Sequence, residues 1–181
     1  MMPTLTPQDE ALLIAQAPHD HGAFAALYRC YLGPIYRYLY QRLGNPHEAE
    51  DLAAQVFTEA LEGLIAQRYR PGSSFAAWLY GIARHKLVDF YRRRPSVPLD
   101  ERASTPSNLL ADIEKGDDRS RVGQLLAQLD EDKRELLRLR FIAGLSFAEI
   151  AALDGRSAAA IKMNVYRALA WLREHWEAEN G

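Results

Sequence analysis

The sequence predicts an all-α protein: two small helical domains joined by a flexible linker, the second a four-helix domain built around a helix-turn-helix. Three observations predict it. Ala, Leu, Arg and Glu dominate the 181 residues, and runs of Val, Ile and Thr are scarce. Apolar residues recur at three- and four-residue spacing through both ends of the chain. Between those ends, "PSVPLDERASTPSNLLADIEKGDD" interrupts the pattern with prolines, serines and mixed charge. The boundaries follow: a first domain over 1–94, a linker over 95–118 and a second domain over 119–181.

Each helix start carries a physical signal. Thr6-Pro7 offers a capping hydroxyl and a proline in the first turn, where its missing N–H costs nothing. Leu27, Tyr31, Ile35, Tyr38 and Leu39 form the next apolar series, which Gly33-Pro34 is expected to break. Asn45-Pro46-His47-Glu48 opens a third helix, with Leu52, Val56, Phe57, Ala60, Leu61 and Leu64 on one face. Ser74 precedes a fourth, where Phe75, Trp78, Leu79, Ile82, Ala83 and Leu87 share a stripe. The linker has room for a short helical turn at 107–115, and helical periodicity resumes near Arg121. Ser146-Phe147-Ala148-Glu149 is a capping box, and Ser157 caps the last helix.

Composition narrows the function. With 48% hydrophobic and 25% charged residues the chain is globular. Cys30 is the only cysteine, so no internal disulfide forms, and a reducing, cytoplasmic setting is expected. The N-terminus has no basic segment ahead of its short apolar run, unlike a signal peptide, and no apolar stretch reaches the ~20 residues of a membrane span. The net charge of −2 hides a segregation. Residues 1–65 hold three arginines against eight acids, net −5, and residues 66–94 hold seven cations against Asp89, net +6. One face therefore suits phosphate and another a cationic or polar partner.

The second domain reads as DNA-binding. In "LSFAEIAALDGRSAAAIKMNVYRALAWLR", Ala151 lets two helices approach and Gly155 supplies the positive φ of the turn. Ile150, Leu153, Ile161, Val165 and Leu169 face inward. Arg156, Ser157, Ala158, Ala159, Lys162, Met163, Tyr166 and Arg167 are left outward, as a helix entering the major groove requires. A helical hairpin with good helix formers is the bland alternative. Taken alone, this domain fits a stand-alone helix-turn-helix transcriptional regulator equally well.

The first domain discriminates. Its third helix carries Glu48, Glu50, Asp51, Glu59 and Glu62, and is followed by the basic-aromatic "RYRPGSSFAAWLYGIARHKLVDFYRRR". Rings beside cations suit single-stranded nucleic acid, since bases stack on rings while cations hold phosphate. Phe75 and Trp78 are expected to serve the core, whereas Arg84, Lys86, Arg92 and Arg93 cluster on one helix as a phosphate face would.

Taken together, "LYRCYLGPIYRYLYQRLGNPHEAEDLAAQVFTEAL", "FAAWLYGIARHKLVDFYRRR" and "LLRLRFIAGLSFAEIAALDGRSAAAIKMNVYRALAWLR" resemble a bacterial extracytoplasmic-function (ECF) sigma factor, the compact sigma-70 class with regions 2 and 4 only. The resemblance spans about 24–94 and 122–173 and rests on three motifs in order. It implies a subunit that binds core RNA polymerase, directs promoter-specific initiation and assists melting. Region 2 would dock on the β′ clamp helices through Glu50, Asp51, Leu52, Gln55 and Glu59. It would hold the melted non-template strand of the −10 element through Arg68, Arg70, Ser74, Phe75, Trp78, Tyr80, Arg84, His85, Lys86, Arg92 and Arg93. Region 4 would read the −35 duplex through the outward set named above and touch the β flap. An anti-sigma factor is the family's usual partner. Departures from the common pattern are Ala54-Gln55, where Gln-Glu is frequent, His85 in place of Asn, and Asp154 and Arg156 at positions often apolar.

Other chemistries fare worse. His19, His21 and Cys30 could ligate zinc, but a His-x-His in a loop is usually solvated. No phosphate loop, nucleophile elbow or His-Glu-x-x-His is present, so neither an enzyme nor a cofactor is expected. With a short tail after residue 173, no further sensory domain is expected.

Overall fold

A computed structural model describes residues 5–93 and 116–180, with side chains for 5–93 and 121–178. The N-terminal unit holds α1 (Pro7–Gln16), α2 (His21–Leu43), α3 (Pro46–Ile65) and α4 (Phe75–Arg93). The C-terminal unit holds α5 (Gly116–Gln128), α6 (Glu131–Leu137) with a π-helical turn (Arg138–Ile142), α7 (Phe147–Asp154) and α8 (Ala158–Asn180). Among the described residues there is no strand. Helix α5 begins inside the expected linker, while the short helical turn expected at 107–115 lies outside the described residues.

The capping signals act as their chemistry requires. Thr6 accepts from the Asp9 amide at 3.1 Å, and Asn45 accepts from His47 and Glu48 at 3.0 and 3.2 Å. Each bond satisfies a first-turn N–H that has no partner within its helix. The break expected at Gly33-Pro34 does not occur, because α2 runs through Pro34 without interruption. Proline deletes one rung of the helix ladder, but α1, α3 and α4 all pack on α2 and hold it on both sides of the missing bond.

In the N-terminal unit α2 packs on α3, and α3 on α4, around Leu27, Ile35, Leu39, Val56 and Leu79, each fully enclosed. In the C-terminal unit Leu125, Leu136, Leu139, Ile150, Ile161 and Val165 do the same. Each such side chain contributes about 1.5–3 kcal/mol on leaving water. The apolar cores form one cluster rather than two. Helix α4 lies against α7, and α2 against the π-helical turn, so the second unit is docked on the first.

Candidate nucleic-acid and polymerase interfaces

The helix-turn-helix is assembled from its caps. Ser146 accepts from the Glu149 amide at 3.2 Å, and Glu149 returns an acceptor to the Ser146 amide at 2.7 Å. Gly155 ends α7 at φ 76°, and the Ser157 hydroxyl accepts from Ala160 at 3.2 Å to start α8. Ile150, Ile161 and Val165 are buried, with Leu153 and Leu169 half-buried. Ser157, just ahead of α8, is exposed, and so are Ala158, Ala159, Lys162, Met163, Tyr166 and Arg167, which share one face of α8. The Lys162 ammonium stands 5.7 Å from the Tyr166 ring centre.

Arg156 is placed differently. Its guanidinium forks onto Asp132 at 2.7 and 2.8 Å and also meets Asp154. These hydrogen bonds to two carboxylates raise its pKa further. The side chain ties the turn to α6 instead of reaching outward, and Asp154 has its counter-charge.

On α3, Glu50, Asp51 and Gln55 are exposed along one face. Leu52 is only 5% exposed and belongs to the core, because its register points it at α2 and not at solvent. Glu59 bonds Lys86 of α4 at 2.6 Å, so these two residues, one acid and one base from opposite charge patches, engage each other.

The loop before α4 is ordered by its own polar groups. The Ser73 hydroxyl donates to the Arg70 carbonyl at 2.6 Å, Tyr69 donates to the Ser73 carbonyl, and Gly72 takes φ 84°. Arg68 and Arg70 are exposed on it. Tyr69, Phe75 and Trp78 form a ring cluster with centroids 5.3–5.8 Å apart. Phe75 and Tyr80 are 1% and 0% exposed, so they are framework beneath the surface and not stacking platforms. Trp78 is half-buried. A groove of about 770 Å³ separates α1 from the loop, walled by Ile14, Leu64, Ile65, Tyr69 and Pro71. His85, Arg92 and Arg93 are exposed further along α4, and Arg92 pairs with Asp89 at 3.0 Å.

The densest polar cluster joins the two units, and sequence reasoning missed it. Glu135 of α6 is buried among Arg42 of α2 (2.6 Å), Arg84 of α4 (3.8 Å) and Arg138 (3.3 Å), and it accepts from the Tyr38 hydroxyl at 2.6 Å. Burial alone would raise its carboxyl, but Arg42, Arg138, Tyr38 and Arg84 together hold it below the ordinary range. Glu131 adds contacts to Arg42 at 3.0 Å and Arg138 at 2.7 Å. The available signal was "RELLRLRF", where charged residues interleave with leucines too densely for a solvated face. A second junction lies nearby. The Ser74 hydroxyl accepts from the Ala77 amide at 3.1 Å, capping α4, and donates to Glu149 of α7. Arg84 also donates to the Leu153 carbonyl at 3.4 Å and lies 4.0 Å from Asp154.

Among the described residues no group of three His, Cys, Asp or Glu could hold a metal ion, and no helix is long and apolar enough to cross a membrane.

The sequence matches two family models, sigma-70 region 2 over residues 27–96 and sigma-70 region 4 over residues 119–172. It is 34% identical over 159 residues to the ECF RNA polymerase sigma factor BldN of Streptomyces coelicolor, covering 83% of this chain and 59% of that one. It is 32% identical over 185 residues to the ECF RNA polymerase sigma factor SigD of Mycobacterium tuberculosis, covering 95% and 87%. Among solved structures it is similar to CnrH in complex with the cytosolic domain of CnrY, with TM-score 0.70 and 26% identity over 94% of this chain and 98% of that one.

Proposed function

The chain belongs to the sigma-70 family as an extracytoplasmic-function sigma factor, and from that premise we propose how its surfaces divide the work of promoter-directed transcription initiation. The N-terminal unit, region 2, binds core polymerase through the exposed acids of α3, with Glu50, Asp51 and Gln55 on the surface and Leu52 supporting them from beneath. The basic loop and α4 take the melted −10 strand. Arg68, Arg70, His85, Arg92 and Arg93 supply exposed cationic or imidazole groups, and Trp78 supplies a half-buried ring. A base flipped from the strand fits the size of the groove between α1 and the loop, at a cost of a few kcal/mol of unstacking.

The C-terminal unit, region 4, reads the −35 duplex. The observation that carries this is the exposed face of α8, where two cations, Lys162 and Arg167, flank Met163 and Tyr166 beyond three small side chains. Small residues let the helix backbone sit close to base edges. An anti-sigma factor is the expected negative regulator, supported by the likeness to CnrH, which is held by CnrY.

Run-off transcription with core polymerase on a selected promoter library tests the whole reading. A sigma factor binds core and initiates only at particular promoters. Tight duplex binding by the protein alone, with no core binding, would point instead to a free-standing regulator.

A further inference from the structure

We propose that the docking of region 4 onto region 2 is an autoinhibitory latch, in which Glu135 and Glu149 hold Arg84 and Ser74 away from the melted strand until the two regions part. The inference rests on the assignment of α4 and its preceding loop to that strand.

Arg84 is met by three acceptors of region 4: Glu135 at 3.8 Å, Asp154 at 4.0 Å and the Leu153 carbonyl at 3.4 Å. Ser74 donates to Glu149. Carboxylates thus stand where phosphate oxygens would, and the guanidinium cannot serve both. The helices also approach too closely for a strand to pass between them, since a Cβ built on Gly81 of α4 would lie 3.4 Å from Leu153 of α7.

The contacts are built to reverse. When the regions part, Glu135 keeps Arg138 at 3.3 Å, and Glu149 keeps the Ser146 amide at 2.7 Å. Neither carboxylate is stranded without a partner in its own unit, which is what makes opening feasible for a buried charge.

The latch is selective. In the closed arrangement Glu50, Asp51 and Gln55 remain exposed, and so does the reading face of α8. Polymerase docking and duplex contact can therefore precede opening, and only strand capture waits for it. The apparent affinity for single strand is lowered by the fraction of chains that are closed.

The test uses the full chain. Arg42→Gln cuts the latch from region 2, and Glu135→Gln cuts it from region 4. Small-angle scattering reads compactness, far-ultraviolet circular dichroism reads folding, and fluorescence anisotropy reads binding of a labelled oligothymidine single strand. Both variants should retain helicity, expand, and bind the oligothymidine roughly tenfold more tightly than wild type. If Glu135→Gln loses helicity, Arg42→Gln and Tyr38→Phe decide, since both leave region 4 intact. Scattering curves that superimpose on wild type overturn the latch. Expanded variants with measurable but unchanged strand affinity overturn its inhibitory role. If no chain binds the strand, expanded or not, the assignment of α4 fails and the inhibitory role with it, while the scattering still reports whether the regions part.

Discussion

Gly63 of α3 lies directly beneath the indole of Trp78: a Cβ built there would stand 2.8 Å from Cζ2 and 3.0 Å from Cη2. Real Cβ atoms do not approach aromatic carbons so closely, so Gly63→Ala must displace the ring or separate α3 from α4. The expected cost is about 1–3 kcal/mol, read as a lower calorimetric Tm. Because Trp78 is the half-buried ring proposed to meet the melted strand, the variant should also weaken promoter melting. An unchanged Tm would show that the helices have slack the packing does not suggest.

Tyr80 is fully buried, edge-on to Tyr38 at 5.3 Å, and its hydroxyl has no hydrogen-bond partner among the described residues. Removing an unsatisfied buried hydroxyl relieves a desolvation penalty of about 1–3 kcal/mol. Tyr80→Phe is therefore expected to be neutral or stabilising in thermal unfolding, with transcription unchanged. Loss of promoter activity with normal stability would mean that Tyr80 reaches the strand after all.

Asp51 is exposed on the acidic face of α3. Asp51→Arg places a cation where a basic or polar polymerase surface is expected, and should lower core affinity by about tenfold. The circular dichroism spectrum and −35 duplex binding should not change. The check is competition for core by labelled wild-type protein.

Lys162 and Arg156 flank the start of α8 but differ in their commitments. Lys162→Ala should weaken duplex binding and reduce the salt slope by about one ion. Arg156→Ala removes the fork onto Asp132 and should instead lower region 4 stability, with little change in salt slope. Salt titrations of both variants separate the two roles. Equal changes in slope would return Arg156 to the DNA face.

Acid should open the chain. Glu135 has a depressed pKa, so its contribution to closure is complete above the unfolded carboxylate value and is lost as pH falls through the lower folded value. The groups facing it are Tyr38 and Arg42 from α2, Arg84 from α4, and Glu131 and Arg138 from its own segment. Glu149 is depressed as well: burial opposes the shift, but the hydrogen bonds from Ser146 and Ser74 outweigh it. Compactness should hold from neutrality to about pH 4.3, the ordinary Glu value, and weaken below it. Glu135→Gln should lose most of that dependence in pH-resolved scattering.

Much of this was legible in the sequence because its causes are local. Caps at Thr6, Asn45, Ser146 and Ser157 need only the next few residues, and so does the turn at Gly155. The outward face of α8 follows from helical period alone, which is why seven of its expected residues sit where the spacing put them. Long-range pairings were not legible. Tyr38 and Glu135 are 97 positions apart, and Ser74 and Glu149 are 75. No periodicity connects such residues. Charge patterns likewise could not show that Lys86 meets Glu59 and Arg156 meets Asp132, acids 27 and 24 positions away. The π-helical turn at Arg138–Ile142 left no mark in composition, yet it leaves Arg138 buried and Phe141 58% exposed.

Glu149 performs two tasks with one carboxylate: one oxygen caps α7, and the other receives Ser74 of α4. Only a folded helix-turn-helix presents that second oxygen in place. The docking of α7 on α4 through this bond therefore depends on how the helix-turn-helix is capped. A change that frays α7 is thus felt on α4, 75 positions away in the chain.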